Sequence, residues 1–290
     1  MTHPSSVAEL TETLRQGRYL ADRGLATAVF VALSLRRPLL LEGEVGVGKT
    51  EIAKVLAAVL GRRLIRLQCY EGIDTNQALY EWDYARQLLH IRALSEREIA
   101  TDEAVDKLFG PKFLLERPLL DAIRAGDRAV LLIDEVDRAD DEFEAFLLEL
   151  LSDFQISIPE VGTVAAETPP LVVLTSNRTR ELHDALKRRC LYHWIGYPPP
   201  EREVEIVLAR EPSVAHELAR KVVAAVNRLR QLDLAKPPGV AETIDWARTL
   251  DFLGETELTP DAADLTLGSV LKERDDLGLV RARLDEITSA

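Results

Sequence analysis

The sequence is poor in cysteine and in aromatic residues. Its 290 residues include 2 Cys, 1 Met and only 6% aromatic residues. Two cysteines, Cys69 and Cys190, are too few for the disulfide framework of a small secreted domain. Cys190 and His193 form one half of a zinc-binding pattern that has no second half in the chain. We therefore interpret both cysteines as buried, inert thiols.

Targeting and membrane signals are also missing. Residues 1–15 lack the basic region and apolar core of a signal peptide. No apolar run approaches the roughly 18 residues that a membrane span needs. We expect a cytoplasmic protein without a membrane span.

Basic residues are in deficit. The chain has 36 Lys plus Arg against 49 Asp plus Glu, a formal charge of −13. Nucleic-acid binders usually carry a basic excess or a basic stripe, because counterion release supplies much of their affinity. We therefore do not expect a nucleic acid as the partner. The negative charge alone does not identify which other partner the chain has.

Short apolar runs alternate with helical periodicity over the first 200 residues. The runs are typical of strands buried on both faces of a parallel sheet and lie at 39–41, 64–67, 129–133 and 171–177. Residues 142–154 have the spacing of a helix with one apolar face. Residues 155–168 predict a β-hairpin. Together they predict an α/β fold with helices flanking a parallel sheet.

Three prolines at 198–200 mark a predicted domain boundary, because proline can neither continue a helix nor pair in a central strand. The remaining chain is helix-periodic, with breaks near Pro212, at 237–239 and at 254–260. We predict an α/β domain over residues 1–198 and an all-helical domain over residues 199–290.

Residues 43–50, GEVGVGKT, match the pattern of a phosphate-binding loop. Glycines permit φ > 0 and let backbone N–H groups approach an anion, and a helix starting near Lys49 adds its positive end. Lys49 would reach the β and γ phosphates of ATP, and the Thr50 hydroxyl would ligate Mg²⁺. An accidental glycine-rich turn is the alternative, which the flanking strand and helix disfavour. The predicted nucleotide-binding residues are Gly43, Glu44, Val45, Gly46, Val47, Gly48, Lys49, Thr50 and Glu51.

Polar residues follow two of the predicted strands at the edge where α/β sheets bind ligands. Asp134 would hold Mg²⁺, and Glu135 would polarise the attacking water as a general base. Asn177 would orient that water against the γ phosphate. Alone, the acids could be a plain strand exit, and the asparagine could start a turn.

These residues resemble the AAA+ ATPases, and more closely their MoxR branch. The resemblance rests on 39–57, on 130–151, on the hairpin before 171–177, and on ALKRRC at 185–190. It implies a P-loop NTPase core with a C-terminal helical lid. Residues 66–92 are similar to the subgroup associated with maturation of carbon monoxide dehydrogenase and related molybdenum hydroxylases.

The resemblance implies a homo-oligomeric ring, usually a hexamer, in which a neighbouring subunit supplies an arginine to ATP. Arg189 is the candidate and Arg188 the alternative; capping of a helix C-terminus is the other interpretation of both. Relatives carry a second-sensor arginine in the lid, where this chain has Ala241. Either the second sensor is absent, or Arg248, one helical stretch later, substitutes for it; Arg248 is not assigned to the site.

The resemblance also places an insertion at about 70–110 over the ring pore, together with the hairpin. Its aromatic residues Trp82, Tyr84 and His90 would grip a client or form a local hydrophobic cluster. The leading hypothesis is an ATP-driven remodelling chaperone for a client metalloenzyme, working with a von Willebrand type A domain protein. A DNA-directed motor or loader and an ATP-binding scaffold without turnover are the alternatives.

The acidity is concentrated in two places. Ten acids and one base lie between Asp134 and Glu160, and five acids and no base lie between Asp251 and Asp264. Part of the first run serves the predicted cation, and part is expected to be a solvated face. We expect the helix over 140–153 to meet a basic partner surface or a neighbouring subunit's Arg188 and Arg189.

Overall fold

The computed structural model describes residues 4–95, 110–159 and 161–289. They form two compact units. The core unit contains the residues through Leu10, Arg23–Glu42 and Leu56–His193. The helical unit contains Thr11–Asp22, Gly43–Val55 and the residues from Trp194 onward. The predicted division into residues 1–198 and 199–290 stays a prediction.

The strands in chain order are β1 (Leu39–Gly43), β2 (Arg63–Gln68), β3 (Tyr80–Trp82), β4 (Leu114–Glu116), β5 (Ala129–Asp134), β6 (Gln155–Ile158), β7 (Gly162–Ala165), β8 (Leu171–Ser176) and β9 (Leu191–Ile195). Five of them form one sheet in the order β2-β5-β8-β1-β9. The β2, β5, β8 and β1 strands pair in parallel. The carboxyl ends of β5, β8 and β1 therefore lie at one edge of the sheet, with β8 in the middle.

The apolar composition of the central strands explains their position. Every residue of β1, β5 and β8 is buried, which fits a parallel sheet covered on both faces. In β2, next to β5 in the sheet order, exposed and buried residues are interspersed. The predicted parallel sheet is thus confirmed.

The helices in chain order are α1 (Val7–Gln16), α2 (Arg23–Leu35), α3 (Lys49–Val59), α4 (Thr75–Ala78), α5 (Tyr84–Ser95), α6 (Pro118–Ala125), α7 (Asp141–Asp153), α8 (Asp184–Arg189), α9 (Pro200–Arg210), α10 (His216–Leu229), α11 (Val240–Phe252), α12 (Pro260–Val270), α13 (Arg274–Arg281) and α14 (Leu284–Thr288). No helix in this described part of the chain is long and apolar enough to cross a membrane.

Helix α7 shows why the acidic sequence after β5 is helical. Asp140 caps it by accepting a hydrogen bond from the Phe143 backbone N–H at 2.9 Å, and such a cap stabilises a helix by about 1 kcal/mol. Its apolar face is buried against the core, each large side chain contributing roughly 1.5–3 kcal/mol; the face comprises Phe143, Leu147, Leu150 and Leu151. The helix ends at Phe154, which has a left-handed φ of 50°.

Two short antiparallel ribbons accompany the sheet. The predicted hairpin is present as β6 paired with β7. The β3 strand of the predicted insertion pairs with β4, which follows the insertion in the chain, and Trp82 lies opposite Leu114 in the core. Residues 96–109 of the insertion lie outside the described part of the chain.

The helical unit has its own apolar core around Trp246, which is fully buried and donates its indole N–H to Thr266 Oγ1 at 2.7 Å. A buried ion pair crosses this unit: Arg230 binds both carboxylate oxygens of Glu203 at 2.7 and 2.8 Å. Arg230 also donates to the Pro238 carbonyl at 2.8 Å, so it fixes the segment that leads into α11.

Candidate functional site

The phosphate loop has no room for side chains at two of its glycines. A Cβ on Gly43 would lie 2.0 Å from the Ile195 carbonyl oxygen. Gly46 has a φ of 77°, and a Cβ there would lie 3.0 Å from the Gly239 Cα. Both positions therefore require glycine, one for space and one for space and backbone conformation.

Lys49 and Thr50 begin α3 directly after this loop. The Lys49 side chain is buried, and its ammonium donates to the carbonyl oxygens of Gly43 at 2.8 Å and of Glu44 at 2.6 Å. The lysine therefore folds back into the curve of its own loop, the place at which a phosphate group is expected. Thr50 is half-buried on the first turn of the helix.

One neighbour of the loop in the helical unit, Tyr19, was missed by sequence reasoning. The ring of Tyr19 comes within 3.7 Å of a Cβ built on Gly48, and its hydroxyl donates to the Gly48 carbonyl at 3.4 Å. Burial, with smaller contributions from Asp22 and Glu51, raises the pKa of Tyr19 far above its ordinary value. Tyr19 is thus a neutral side chain that packs on the loop; its remoteness in sequence left no local signal.

Ala241 lies at the phosphate loop, where the resemblance implied an arginine. Its backbone N–H donates to the Gly46 carbonyl at 3.0 Å, so the first turn of α11 contacts the loop through its main chain. Arg248, considered as a substitute, pairs instead with Glu211 and Asp245. The hydrogen bond that the Arg248 guanidinium donates to the Glu211 carboxylate is the main cause of the raised pKa of Arg248.

The Glu51 side chain, predicted to belong to the nucleotide site, makes ion pairs. Its carboxylate accepts a hydrogen bond from Arg210 at 2.9 Å and lies 3.3 Å from the Lys54 ammonium. These contacts connect α3 with α9 inside the helical unit, so the side chain has a structural role there.

In the core unit, Asp134 ends β5 as a buried carboxylate with fixed partners. Its Oδ1 accepts a hydrogen bond from the Thr175 hydroxyl at 2.6 Å. Its Oδ2 accepts two from the Arg66 guanidinium, at 3.0 and 2.6 Å. Thr175 belongs to β8 and Arg66 to β2, so neighbouring strands orient this carboxylate.

Glu135, the next residue, has a strained backbone. Its φ and ψ of 54° and 50° are left-handed, a conformation that costs a non-glycine residue about 1–2 kcal/mol. Its N–H donates to Thr175 Oγ1 at 2.9 Å, while its carboxylate accepts hydrogen bonds from Gln68 at 3.1 Å and Arg138 at 3.0 Å. The chain leaves the strand at this residue and enters the turn Val136–Arg138, and such backbone strain is common at functional sites.

Cys69 confirms that the surroundings of this edge are acidic. Burial, followed by the charges of Asp134, Asp137 and Glu135, raises the pKa of its thiol to about 12. The thiol stays protonated at neutral pH, and the cysteine is buried, as predicted. Burial likewise raises the pKa of Cys190 to about 12, against the opposing charge of Arg37.

Asn177 is the first residue after β8 and lies half-buried at the same edge. Within the described residues its side-chain amide makes no hydrogen bond, whereas its backbone N–H is bound by Asp137. The core unit therefore brings Asp134, Glu135 and Asn177 together at the carboxyl ends of β5 and β8.

Arg188 and Arg189 end α8 and are exposed. The carbonyl oxygens at this helix end are satisfied by a different arginine: Arg37 Nη2 donates to those of Arg188 at 3.0 Å, Arg189 at 3.2 Å and Cys190 at 3.3 Å. Both arginines also lie in the last turn of α8, where a positive charge is favoured, so the capping interpretation and the role across a subunit interface both stay predictions.

The acidic helix α7 uses part of its charge within the core unit. Glu144 is buried, accepts a hydrogen bond from the His183 N–H at 2.9 Å, and pairs with Arg180. Asp141 also pairs with Arg180, at 3.3 Å. Glu144 is therefore not available to a partner, whereas the other acids of the helix are exposed; the exposed ones are Asp141, Glu142, Glu149 and Asp153.

The predicted aromatic grip is mostly a packed cluster. Trp82 is buried and makes an edge contact with Tyr80 at 6.1 Å between ring centroids. His90 packs on Phe113 at 5.4 Å. Tyr84 is exposed on α5, as are three aliphatic side chains of the same helix; these are Leu88, Leu89 and Ile91.

Comparison with known families is consistent with this arrangement. The model of the AAA domain, dynein-related subfamily, matches residues 38–190, which include the phosphate loop, the acidic pair, Asn177 and both candidate arginines. The chain belongs to the AAA family and is an ATPase of its MoxR branch, as the sequence predicted.

Individual relatives agree with this assignment. The chain is 27% identical to the protein NorQ of Paracoccus denitrificans over 74% of its own length and 73% of that protein. It is 28% identical to the protein CbbQ of Hydrogenophilus thermoluteolus, over 77% and 75% of the two chains. A chaperone protein ClpB 1 of Thermosynechococcus vestitus is 30% identical over 60% of this chain but only 16% of that one.

Among solved structures, a point mutant of RuvB from Thermotoga maritima has the same fold. Its TM-score is 0.50 at 17% sequence identity, over 96% of this chain and 76% of the other.

Proposed function

We propose that the chain hydrolyses ATP with Mg²⁺ through the residues predicted from its sequence. The backbone of residues 43–51 and Lys49 would bind the phosphates, and Thr50 and Asp134 would hold the metal. Their hydroxyl and carboxylate oxygens are the hard ligands that Mg²⁺ prefers. The described residues contain no cluster of three or more metal-binding side chains, which fits a Mg²⁺ that takes its other ligands from phosphate and water.

Glu135 is proposed as the general base and Asn177 as the residue that orients the attacking water. The left-handed backbone of Glu135 and the hydrogen bonds from Gln68 and Arg138 hold its carboxylate in one direction. Bound Mg²⁺ would neutralise charge on the β and γ phosphates. Among the described residues only the backbone N–H of Asn177 is hydrogen-bonded, so its side-chain amide can orient the attacking water.

A homo-oligomeric ring, usually of six subunits, would complete the site with Arg189, or Arg188 in its place, from a neighbour. The observation that supports this step is the position of Arg37, which holds the end of α8 and leaves both guanidinium groups exposed. A guanidinium that reaches the γ phosphate in the transition state can accelerate hydrolysis by a factor of about 10³ or more.

The ATPase cycle would drive remodelling of a client enzyme. The single observation that carries this proposal is the exposed apolar face of α5, formed by Tyr84, Leu88, Leu89 and Ile91. An exposed apolar face of this kind is typical of a surface that binds another protein. It carries no group for a second catalytic centre beside the residues proposed for ATP hydrolysis. The proposed client is a metalloenzyme, such as a molybdenum-containing carbon monoxide dehydrogenase. A protein with a von Willebrand type A domain is the proposed partner in remodelling.

Affinity capture from the native host tests this function. A Glu135→Gln variant should bind ATP without hydrolysing it and retain its partners, while Lys49→Ala should lose both ATP and partners. Recovery of a metalloenzyme and a von Willebrand type A domain protein with the first variant only is the expected result. Recovery of neither would remove the client assignment and leave the ATPase intact.

The DNA-directed motor remains the second candidate because of one observation. Arginines gather at the amino ends of the parallel strands: Arg36, Arg37, Arg62, Arg63, Arg124 and Arg128. Stimulation of ATP hydrolysis by duplex DNA at low salt, lost in an Arg62→Glu, Arg63→Glu variant, would favour the motor over the chaperone. We expect no stimulation, since the whole chain carries a charge of −13.

A further inference from the structure

Asp137 is a buried carboxylate that the hydrolytic roles above do not use. It lies in a short turn, Val136–Arg138, directly after the acidic pair, and is 1% exposed. One of its oxygens, Oδ2, accepts three hydrogen bonds from the loop after β8: from the Asn177 N–H at 3.2 Å, the Thr179 N–H at 2.8 Å and the Thr179 hydroxyl at 2.8 Å. The other oxygen, Oδ1, is buried without a hydrogen-bond partner in the described residues.

A second buried carboxylate holds the same loop from the opposite side. Glu42, near the end of β1, accepts hydrogen bonds from the Ser176 hydroxyl at 3.3 Å and from the Tyr192 hydroxyl at 3.1 Å. The Ser176 hydroxyl accepts one from the Arg178 N–H at 3.0 Å. Since β8 lies between β5 and β1, the loop that carries Asn177 is bound on one side to the turn that follows β5 and on the other side, through Ser176, to Glu42 of β1.

The loop has a conformation that such bonds must maintain. Arg178, the residue after Asn177, has a left-handed φ of 57°, which is unfavourable for a side chain of this size. The peptide groups on both sides of it are the ones bound: Arg178 N–H by Ser176 and Thr179 N–H by Asp137. The backbone is therefore determined by its partners, while the amide of Asn177 stays available.

We propose that Asp137 is a positioning residue for ATP hydrolysis, which acts through Asn177, with Glu42 as the second support of the loop. Asp137 lies in the turn directly after Asp134 and Glu135. Its hydrogen bonds therefore connect the segment that carries these two carboxylates with the loop that carries Asn177. A small displacement of a positioned group can lower a rate by up to about 100-fold. The inference rests on the proposed role of Asn177.

Steady-state hydrolysis and nucleotide binding by Asp137→Ala provide the first test. We expect kcat to fall about 10- to 100-fold, while the affinity for ATP changes by less than about threefold. Asp137→Asn should recover most of the activity, because its carbonyl oxygen can accept the same hydrogen bonds. An equal loss of affinity and kcat in Asp137→Ala would instead indicate a general structural role and overturn the proposal.

A double-mutant cycle separates this inference from the role of Asn177. If Asp137 acts through Asn177, adding Asp137→Ala to Asn177→Ala should change kcat by less than about twofold. The same fold decrease in both backgrounds would contradict the proposal. Full activity of Asn177→Ala alone would refute the role of Asn177 itself, a separate outcome.

Thr179→Val keeps the proposal testable if Asp137→Ala does not fold. It removes one donor to Asp137 with little change of shape, and it should lower kcat several-fold without a change in ATP affinity. Thr27→Val is the matched control, since the exposed Thr27 hydroxyl also binds a backbone carbonyl, at 2.7 Å. Unchanged kcat in Thr179→Val would count against Asp137 as a positioning residue.

Discussion

The two edges of the parallel sheet in the core unit are both rich in charge, but the charges differ in sign and in burial. At the carboxyl edge, the Asp134 side chain is 3% exposed, and Glu42 is equally inaccessible. At the amino edge, the ion pair of Arg63 with Asp121 has side chains that are 57% and 31% exposed. Exposed pairs contribute about 0–1 kcal/mol, whereas buried charges need fixed partners.

This difference indicates which edge performs chemistry. Buried carboxylates held by neighbouring strands cannot reorient, so they present oxygens in fixed directions. The exposed arginines exchange partners with water and salt, and they suit solubility and weak binding. We therefore expect equivalent substitutions at the two edges to have unequal effects.

The largest difference is expected between two aspartates that each pair with an arginine. Asp134→Asn should lower kcat for ATP about 100-fold or more, because a neutral amide replaces the proposed metal ligand. Asp121→Asn, which weakens an exposed pair with Arg63, should leave kcat within about twofold. Steady-state hydrolysis at saturating ATP and Mg²⁺ measures both. Equal decreases in kcat for the two variants would show that the buried Asp134 carboxylate contributes no more to hydrolysis than the exposed Asp121.

The next difference concerns stability. Glu144→Gln removes a buried charge that binds Arg180 and the His183 N–H, and it should lower the free energy of unfolding by about 2 kcal/mol. Glu116→Gln, which loses an exposed pair with Arg124, should cost less than about 0.5 kcal/mol. Urea denaturation of the two variants gives the comparison. A larger loss at Glu116 would reverse our interpretation of the two edges.

Glycine substitutions at two residues with a strained backbone, one at each edge, should have the same effect on stability but different effects on activity. Glu135 at the carboxyl edge and Arg36 at the amino edge both have a left-handed φ, 54° and 53°. Glycine should relieve either strain and raise the free energy of unfolding by about 1 kcal/mol. Only Glu135→Gly should abolish hydrolysis. Loss of hydrolysis in Arg36→Gly as well would mean that the amino edge also contributes to turnover.

The smallest effect is expected for thiol chemistry. Because the pKa of Cys69 is raised to about 12, it should resist a disulfide reagent at pH 8, while Ser34→Cys at an exposed position near the amino edge should react at once. The folded chain retains a proton that the unfolded chain loses above its ordinary pKa, so stability should fall as the pH rises toward 12. Rapid labelling of native Cys69 would contradict its burial.

The residues that we propose for the chemistry were predicted from short motifs of the sequence. Lys49 and Thr50 follow a glycine pattern, and Asp134 and Glu135 end the most apolar strand, so local spacing was sufficient for both. Sequence reasoning missed Arg37, Arg66 and Asp137, since a lone arginine or aspartate has no signal until its partner is known. It also left open whether Arg188 and Arg189 act across a subunit interface or favour the end of their own helix, and both stay predictions.

The sequence by itself determined four of the five strands of the main sheet, the phosphate loop, the acidic pair and the family, because each depends on residues that are contiguous or regularly spaced. Tertiary structure decided the partners. Arg66 is 68 positions from Asp134, and Arg37 is 152 positions from Arg189. Such groups meet only when the strands pair in one register and order, so the geometry that orients the proposed catalytic residues is a property of the folded sheet.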